Sequence, residues 1–276
     1  MVKRRLDTLL AERGLFPSRT RAAASVLAGE VYLIPAHAGE RRAEKPGELV
    51  DEQTQVRVAV RPAFVSRGGV KLANALDACG LRMSGRRALD VGASTGGFTD
   101  CLLQRGAREV IAVDVGYGTL DYRLRSDARV AVMERTNARN LTPELLPAAR
   151  VAPDAPPDLA TVDVSFISLR KVLPAILSCL GSPYDVLALV KPQFELGRGR
   201  VGKGGVVRAG EDRREALIDV GEAALALGAS VLGFYSSGLP GPKGNRETFV
   251  WFAERARDGA TRDPAAVRRM AFEVEP

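Results

Sequence analysis

Asp90-Val91-Gly92-Ala93-Ser94-Thr95-Gly96-Gly97-Phe98-Thr99 begins as a strand, breaks into glycines and restarts as a helix. The strand is Arg87-Ala88-Leu89-Asp90-Val91, and past Gly97 the residues Phe98, Cys101, Leu102 and Leu103 carry a helix toward a core. An α/β domain holds a nucleotide-like cofactor at such a junction, because a turn without Cβ atoms can press its backbone against a ligand. A dinucleotide fingerprint would need glycine at position 94, where this chain has Ser94, and an acidic residue, Asp90, already precedes the first glycine. The stretch therefore points to a methyl-donor site over NAD. Its candidate contacts are Asp90, Gly92, Ala93, Ser94, Thr95, Gly96, Gly97 and Phe98. Asp114 ends the next strand, about 20 residues past the glycines, where a carboxylate can accept both hydroxyls of a ribose. Asn137 is a further candidate contact.

Outward from this stretch the chain alternates. Helices are expected near 70–79, 97–105, 168–180 and 211–227, with strands at 87–91, 109–114, 130–133, 158–163, 185–190, 229–235 and 247–253. Such alternation implies a mostly parallel sheet with helices on both faces. Upstream, Leu6, Leu9, Leu10 and then Ala22, Ala23, Val26, Leu27 recur at helical spacing, interrupted by Gly14 and Pro17, so two short helices are predicted, the second capped by Ser18 and ended by Gly29. Strands at 31–34 and 55–60 flank a polar loop, 36–51, giving a small αα-ββ unit over 1–60, a linker at 61–66 and a larger domain from 67 to 276. The tail from Arg262 has only weak helical periodicity.

Composition narrows the function classes. With 276 residues, 46% of them hydrophobic, the chain can bury a real core. The net charge of +7 suggests a polyanionic partner. Part of the excess lies near the N-terminus, where Lys3, Arg4, Arg5, Arg13, Arg19 and Arg21 face only Asp7 and Glu12. No apolar run approaches the ~20 residues of a membrane span, so a soluble cytoplasmic protein is expected. Cys79, Cys101 and Cys179 are widely spaced and form no Cys-x-x-Cys pair, which argues against a disulfide framework or a structural zinc and makes them core filler. His37 is the only histidine, so acid–base chemistry falls to Lys, Asp, Glu or Tyr. Gly197-Arg-Gly-Arg-Val-Gly202-Lys203 imitates a P-loop, but Gly204 stands where Ser or Thr would bind magnesium. A mobile basic loop near the substrate backbone is the preferred reading.

Asp163 ends one apolar strand and Lys191 another. In a parallel sheet the carboxyl ends of the strands share one rim, the rim that carries the glycine loop, so both charges are expected in the cofactor crevice. Desolvation disfavours a charged lysine while a neighbouring aspartate favours it, a balance that can be tuned for proton transfer.

Five stretches carry a resemblance: Ser66-Arg67-Gly68-Gly69-Val70-Lys71-Leu72, Asp90 to Thr99, Asp163-Val-Ser-Phe-Ile-Ser-Leu169, Leu189-Val-Lys191-Pro-Gln-Phe-Glu195 and Leu239-Pro-Gly-Pro-Lys-Gly-Asn-Arg-Glu247. Across nearly its whole length the chain resembles the TlyA family of ribosomal RNA 2′-O-methyltransferases, themselves similar to FtsJ-type RNA methyltransferases. The resemblance implies a Rossmann-like S-adenosylmethionine-dependent methyltransferase domain behind a small N-terminal S4-like RNA-binding domain. It also implies a catalytic tetrad on Lys71, Asp163, Lys191 and Glu247, with no metal. Lys191 would be the base, Asp163 would orient it, and Lys71 and Glu247 would hold the ribose and tune Lys191. Arg5-Leu-Asp-Thr-Leu-Leu and Ser18-Arg-Thr-Arg-Ala-Ala are similar to S4 motifs, while Leu33-Ile34-Pro35 departs from the usual Val-Asn-Gly, and Phe64 stands where some members have tryptophan.

The partner that the resemblance implies is ribosomal RNA, with a cytidine in 23S RNA, or cytidines in both 23S and 16S RNA, as target and an effect on capreomycin-type antibiotics. Arg4, Arg5, Arg19, Arg21 and Arg67 are the candidate phosphate contacts, and Phe166 the candidate to stack on a splayed-out base. Two other readings compete. The haemolysin label carried by members of this family suggests membrane activity, against which stand 5% aromatic residues and the lack of a strongly amphipathic basic helix. A non-catalytic RNA-binding module would leave four filled tetrad positions without a purpose.

Overall fold

The computed structural model describes residues 3–35, 39–59, 62–149 and 155–275. The chain divides into two compact units, Met1–Pro62 and Ala63–Pro276. His37, Val60 and Arg61, invoked above, lie outside the described residues.

In the smaller unit, β1 (Lys3–Arg5) runs into α1 (Leu6–Glu12), and α2 (Arg19–Leu27) leads to β2 (Val31–Ile34). Ser18 caps α2 as expected, its Oγ accepting the N–H of Arg21 at 3.3 Å. The polar loop is not wholly irregular: it contains β3 (Arg41–Arg42) and β4 (Leu49–Asp51), which precede β5 (Gln55–Val58). Both were hidden because each is two or three residues long and pairs with a distant strand, β3 with β2 and β4 with β1. Leu6, Leu9, Leu10, Ala22, Val26, Val31 and Leu33 form this unit's core, joined by Ala43 and Val50 from the same loop.

The larger unit opens on α3 (Arg67–Cys79), followed by β6 (Arg87–Val91), α4 (Gly97–Gln104), β7 (Glu109–Val113), a short α5 (Tyr122–Arg125) and β8 (Val130–Met133). Then come β9 (Leu159–Val162), α6 (Leu173–Ser178), β10 (Asp185–Val190), the single turn α7 (Pro192–Glu195), α8 (Gly210–Ala226), β11 (Ser230–Ser236), β12 (Thr248–Ala253) and α9 (Pro264–Val274). The helix expected over 168–180 is divided: a 3₁₀ turn at Leu169–Lys171 precedes α6, whose first turn holds Pro174. Proline lacks an N–H and fixes φ, so it starts a helix more readily than it continues one. The tail is more regular than its periodicity suggested. Asp263 caps α9 by accepting the N–H groups of Ala265 and Ala266, and Val267 and Ala271 are buried in the core that also holds α8 and β11 residues. Residues 63–66, expected as linker, are held against α4, with Val65 N–H on Asp100 at 2.8 Å and Gln104 on the Ala63 carbonyl at 2.9 Å.

Seven strands form one sheet in the order β11-β12-β10-β9-β6-β7-β8. Its pairs from β10 to β8 are parallel, and β12 is antiparallel to both β10 and β11. The central strands β6, β9 and β10 are buried along their whole length, as a sheet covered on both faces requires. The strand order reverses between β6 and β9, so the loops after them diverge and leave a crevice at their carboxyl ends. No described helix is long and apolar enough to cross a membrane.

Candidate active site

The crevice is built on the glycine turn. Gly92 lies at φ +88°, and a Cβ there would come within 2.5 Å of the Asp163 carbonyl oxygen, so only glycine lets the loop after β6 lie against the loop after β9. Gly97 opens α4 where a Cβ would meet Ser66 Oγ at 2.2 Å and Gly69 N at 2.8 Å. The starts of α3 and α4 are thereby brought into contact.

Two cavities meet over this turn. A smaller one of about 400 Å³ is lined by Gly92, Ser94, Asp114, Asn137 and Val164. Asp114 accepts the N–H groups of Ser94 and Gly116, each at 2.7 Å, and an ionised carboxylate so held keeps lone pairs for further donors. The larger cavity, about 780 Å³, is lined by Ala93, Thr95, Gly97 and Phe98 from the glycine turn and by Lys71, Asp163, Lys191 and Glu247. Arg67 and Phe166 also reach it.

Four charges expected together therefore share one wall, as two ion pairs. Lys191 Nζ lies 2.6 Å from Asp163 Oδ1 and donates to Ser165 Oγ at 2.9 Å. Lys71 Nζ donates to Glu247 Oε2 at 2.5 Å, and both residues are buried. Topology explains the meeting: Lys191 follows the carboxyl end of a parallel strand, whereas Glu247 precedes an antiparallel one, which brings it to the same rim.

Two candidate contacts stand elsewhere. Asp90 is fully buried inside the sheet and lines neither cavity; its carboxyl accepts Thr99 Oγ1 at 2.6 Å and Thr161 Oγ1 at 3.1 Å. Burial pushes it up to about 7 against those two hydrogen bonds, with the charge of Asp163 adding to the rise. One residue before the end of β6, Asp90 is held inside the sheet by Thr99 of α4 and Thr161 of β9, so it braces the turn from beneath. Gly96, at φ +96°, shapes the turn and faces Leu120 and Leu124.

Phe166 is no core aromatic. It is 91% exposed at φ +64°, and its ring stands 5.2 Å from that of Phe194. Backbone strain and exposure of a large apolar side chain coincide at functional sites. In the smaller unit, Arg4 pairs with Glu12 and Glu52, while Arg5 and Arg19 both face Asp7. The Arg5 guanidinium draws Asp7 down to about 2. Arg21 is exposed.

Some residues of the site carried no role in the sequence reading. Ser165 holds Lys191, Phe194 backs Phe166, and Gln193 lines the larger cavity. Glu195, 5% exposed, accepts Ser168 Oγ at 2.5 Å and the Leu169 N–H at 2.8 Å. Together these contacts make three successive ties between the loop after β9 and the loop after β10. Asn245 joins the glycine-rich loops, its Oδ1 accepting the Val207 N–H at 2.9 Å and its Nδ2 donating to the Gly205 carbonyl at 2.8 Å. The available signal was position: Gln193, Phe194 and Glu195 come a few residues after a strand end on the rim that carries the glycine turn. Of the P-loop imitation and its continuation, Val201 and Gly205 line the larger cavity.

The chain is similar to known proteins over most of its length. Residues 64–254 match the family model of the FtsJ-like methyltransferases. A Mycobacterium tuberculosis protein named 16S/23S rRNA (cytidine-2′-O)-methyltransferase TlyA is 47% identical over 251 residues, 90% of this chain and 88% of that one. Hemolysin A of Brachyspira hyodysenteriae is 36% identical over 248 residues, covering 90% and 99%. Among solved structures, a Streptococcus thermophilus protein described as a candidate hemolysin superposes with a TM-score of 0.69 at 37% identity, over 99% of this chain and 96% of that one. With the family model matched over residues 64–254 and a relative 47% identical over 90% of the chain, the chain belongs to the TlyA group of the FtsJ-like methyltransferase family.

Proposed function

We propose that this protein transfers the methyl group of S-adenosylmethionine to a ribose 2′-hydroxyl, of cytidine, in ribosomal RNA. The observation that carries the reading is the pairing of Lys191 with Asp163 in the crevice that also holds the glycine turn and the Lys71–Glu247 pair.

The smaller cavity fits the donor. Asp114 has acceptor capacity for a ribose diol, Asn137 and Ser94 border it, and Gly92 lets the turn approach a ligand closely. When bound, S-adenosylmethionine supplies a methyl group on a positively charged sulfur. This chain's residues must then do three things. They hold the acceptor hydroxyl in line with that group, remove its proton and exclude water.

A ribose hydroxyl is a weak nucleophile until a base takes its proton. Lys191 Nζ is the base; Asp163 and Ser165 fix the direction of its lone pair and then stabilise the ammonium that forms. Lys71 and Glu247, buried and mutually neutralised, offer a donor and an acceptor to the ribose without adding net charge. Positioning of this kind supplies much of the rate in a displacement that needs collinear reacting atoms.

The RNA reaches this crevice with its target nucleotide displaced from the helix, because chemistry on a stacked nucleotide is sterically blocked. Phe166 takes the base on its exposed face, Arg67 meets phosphate at the crevice mouth, and the S4-like N-terminal unit anchors the RNA through Arg4, Arg5, Arg19 and Arg21. Incubating the protein with ribosomal subunits and labelled S-adenosylmethionine, then analysing nucleosides, tests the reading. Label in 2′-O-methylcytidine is the expected result, and label confined to base methyl groups or absent altogether would refute it.

A further inference from the structure

Two side-chain amides line the larger cavity, Gln193 and Asn245, and they stand in opposite conditions. Both ends of the Asn245 amide are engaged, holding Val207 and Gly205. The Gln193 Oε1 is buried and meets no hydrogen-bond donor among the described residues. A buried acceptor left unmatched costs free energy, which a donor entering the cavity offsets. The four charged side chains of the two ion pairs are committed: Lys191 to Asp163 and Ser165, and Lys71 to Glu247.

The position of Gln193 says what the donor is. It sits between Lys191 and Phe194 on a single turn, so one short segment presents an amine, an amide and an aromatic ring to the same cavity. Phe194 backs Phe166, the surface on which a flat ring would stack. With a ribose hydroxyl at Lys191 and its base on Phe166, an edge of that base comes to the Gln193 wall. We infer that Gln193 reads the Watson–Crick edge of the displaced base, its Oε1 accepting from an exocyclic amine, and thereby favours cytosine over uracil. Uracil would place a carbonyl oxygen against that acceptor. The inference rests on the ribose-methylation reading and adds to it the group that selects the base.

The test uses the full-length protein and two transcripts of the modified ribosomal RNA, carrying cytidine or uridine at the position the wild type methylates. The wild type should methylate the cytidine transcript about tenfold faster or more, the worth of one buried hydrogen bond. Gln193→Leu should bring the two rates within about threefold of each other, chiefly by slowing cytidine, with unchanged affinity for S-adenosylmethionine. Gln193→Glu keeps an acceptor at the site and should preserve the preference. A Gln193→Leu ratio equal to that of the wild type, or a Gln193→Glu ratio that collapses as far as the leucine variant's, would overturn the inference. Absence of 2′-O-methylation by the wild type would instead overturn the activity on which it rests.

Discussion

Lys191 Nζ lies 2.6 Å from Asp163 Oδ1, a residue 28 positions earlier in the sequence, where two neighbouring parallel strands end. The contact joins the loop that borders the smaller cavity to the loop that carries Lys191, the proposed base. Removing either partner should therefore separate binding from chemistry. Lys191→Ala should bind S-adenosylmethionine and RNA with near-wild-type affinity while methyl transfer falls by about 10²–10⁴-fold, the usual worth of a positioned base. Single-turnover assays and calorimetry check this, and retained turnover would remove Lys191 from that role.

The Lys71–Glu247 pair is buried, so cutting it in half should be costly. Lys71→Met leaves a carboxylate without its partner and should lower stability by about 3–5 kcal/mol. Lys71→Met with Glu247→Leu should recover most of that stability and none of the activity. Urea unfolding of the single and double variants, with methyl transfer measured alongside, checks both halves.

Asp90 gives a pH signature. In the folded chain it keeps its proton up to about pH 7, whereas an unfolded aspartate loses it near 3.8. The folded state therefore holds the extra proton between those values. The stability due to this group is complete below pH 3.8 and is lost as pH rises through 7. Asp90→Asn removes the titration, so its stability relative to the wild type should rise by about 2 kcal/mol between pH 5.5 and pH 8.5. Denaturant titrations across that range check it; parallel profiles would contradict the assignment.

Glu195 makes the last of the three ties along the loop after β10. Glu195→Ala should strand the Leu169 N–H and the Ser168 hydroxyl, costing about 1–3 kcal/mol and lowering kcat with little effect on donor affinity. Glu195→Gln still accepts the Leu169 N–H and should recover much of both. Burial raises the Glu195 carboxyl, so the glutamine variant resembles its protonated form.

The RNA binding proposed for the smaller unit is testable from salt dependence. Each phosphate contact contributes about one to the slope of log affinity against log salt. Replacing Arg5, Arg19 and Arg21 with alanine should flatten that slope by about two to three while the methylated position stays the same. An unchanged slope would show that the anchor lies elsewhere.

How much was legible from the chain alone followed from range. Residues 90–99 announced a strand, a glycine turn and a helix because all three are local: apolar runs, missing Cβ atoms and helical spacing act over a few residues. The alternation downstream implied the parallel sheet, and the sheet placed Asp163 and Lys191 on one rim, since strand ends share an edge whatever their separation in sequence. Asp90, by the same local logic, looked like a cofactor contact; only the packed sheet decides that its side chain points beneath the turn. The resemblance grouped Lys71 and Glu247 with Asp163 and Lys191, but their pairing with each other across 176 residues, the three ties between the loops after β9 and β10, the exposure of Phe166 and the unmatched acceptor of Gln193 come from the tertiary structure. Each depends on which loops adjoin after the chain has crossed the sheet, and that adjacency arises from long-range packing that no local pattern of residues encodes.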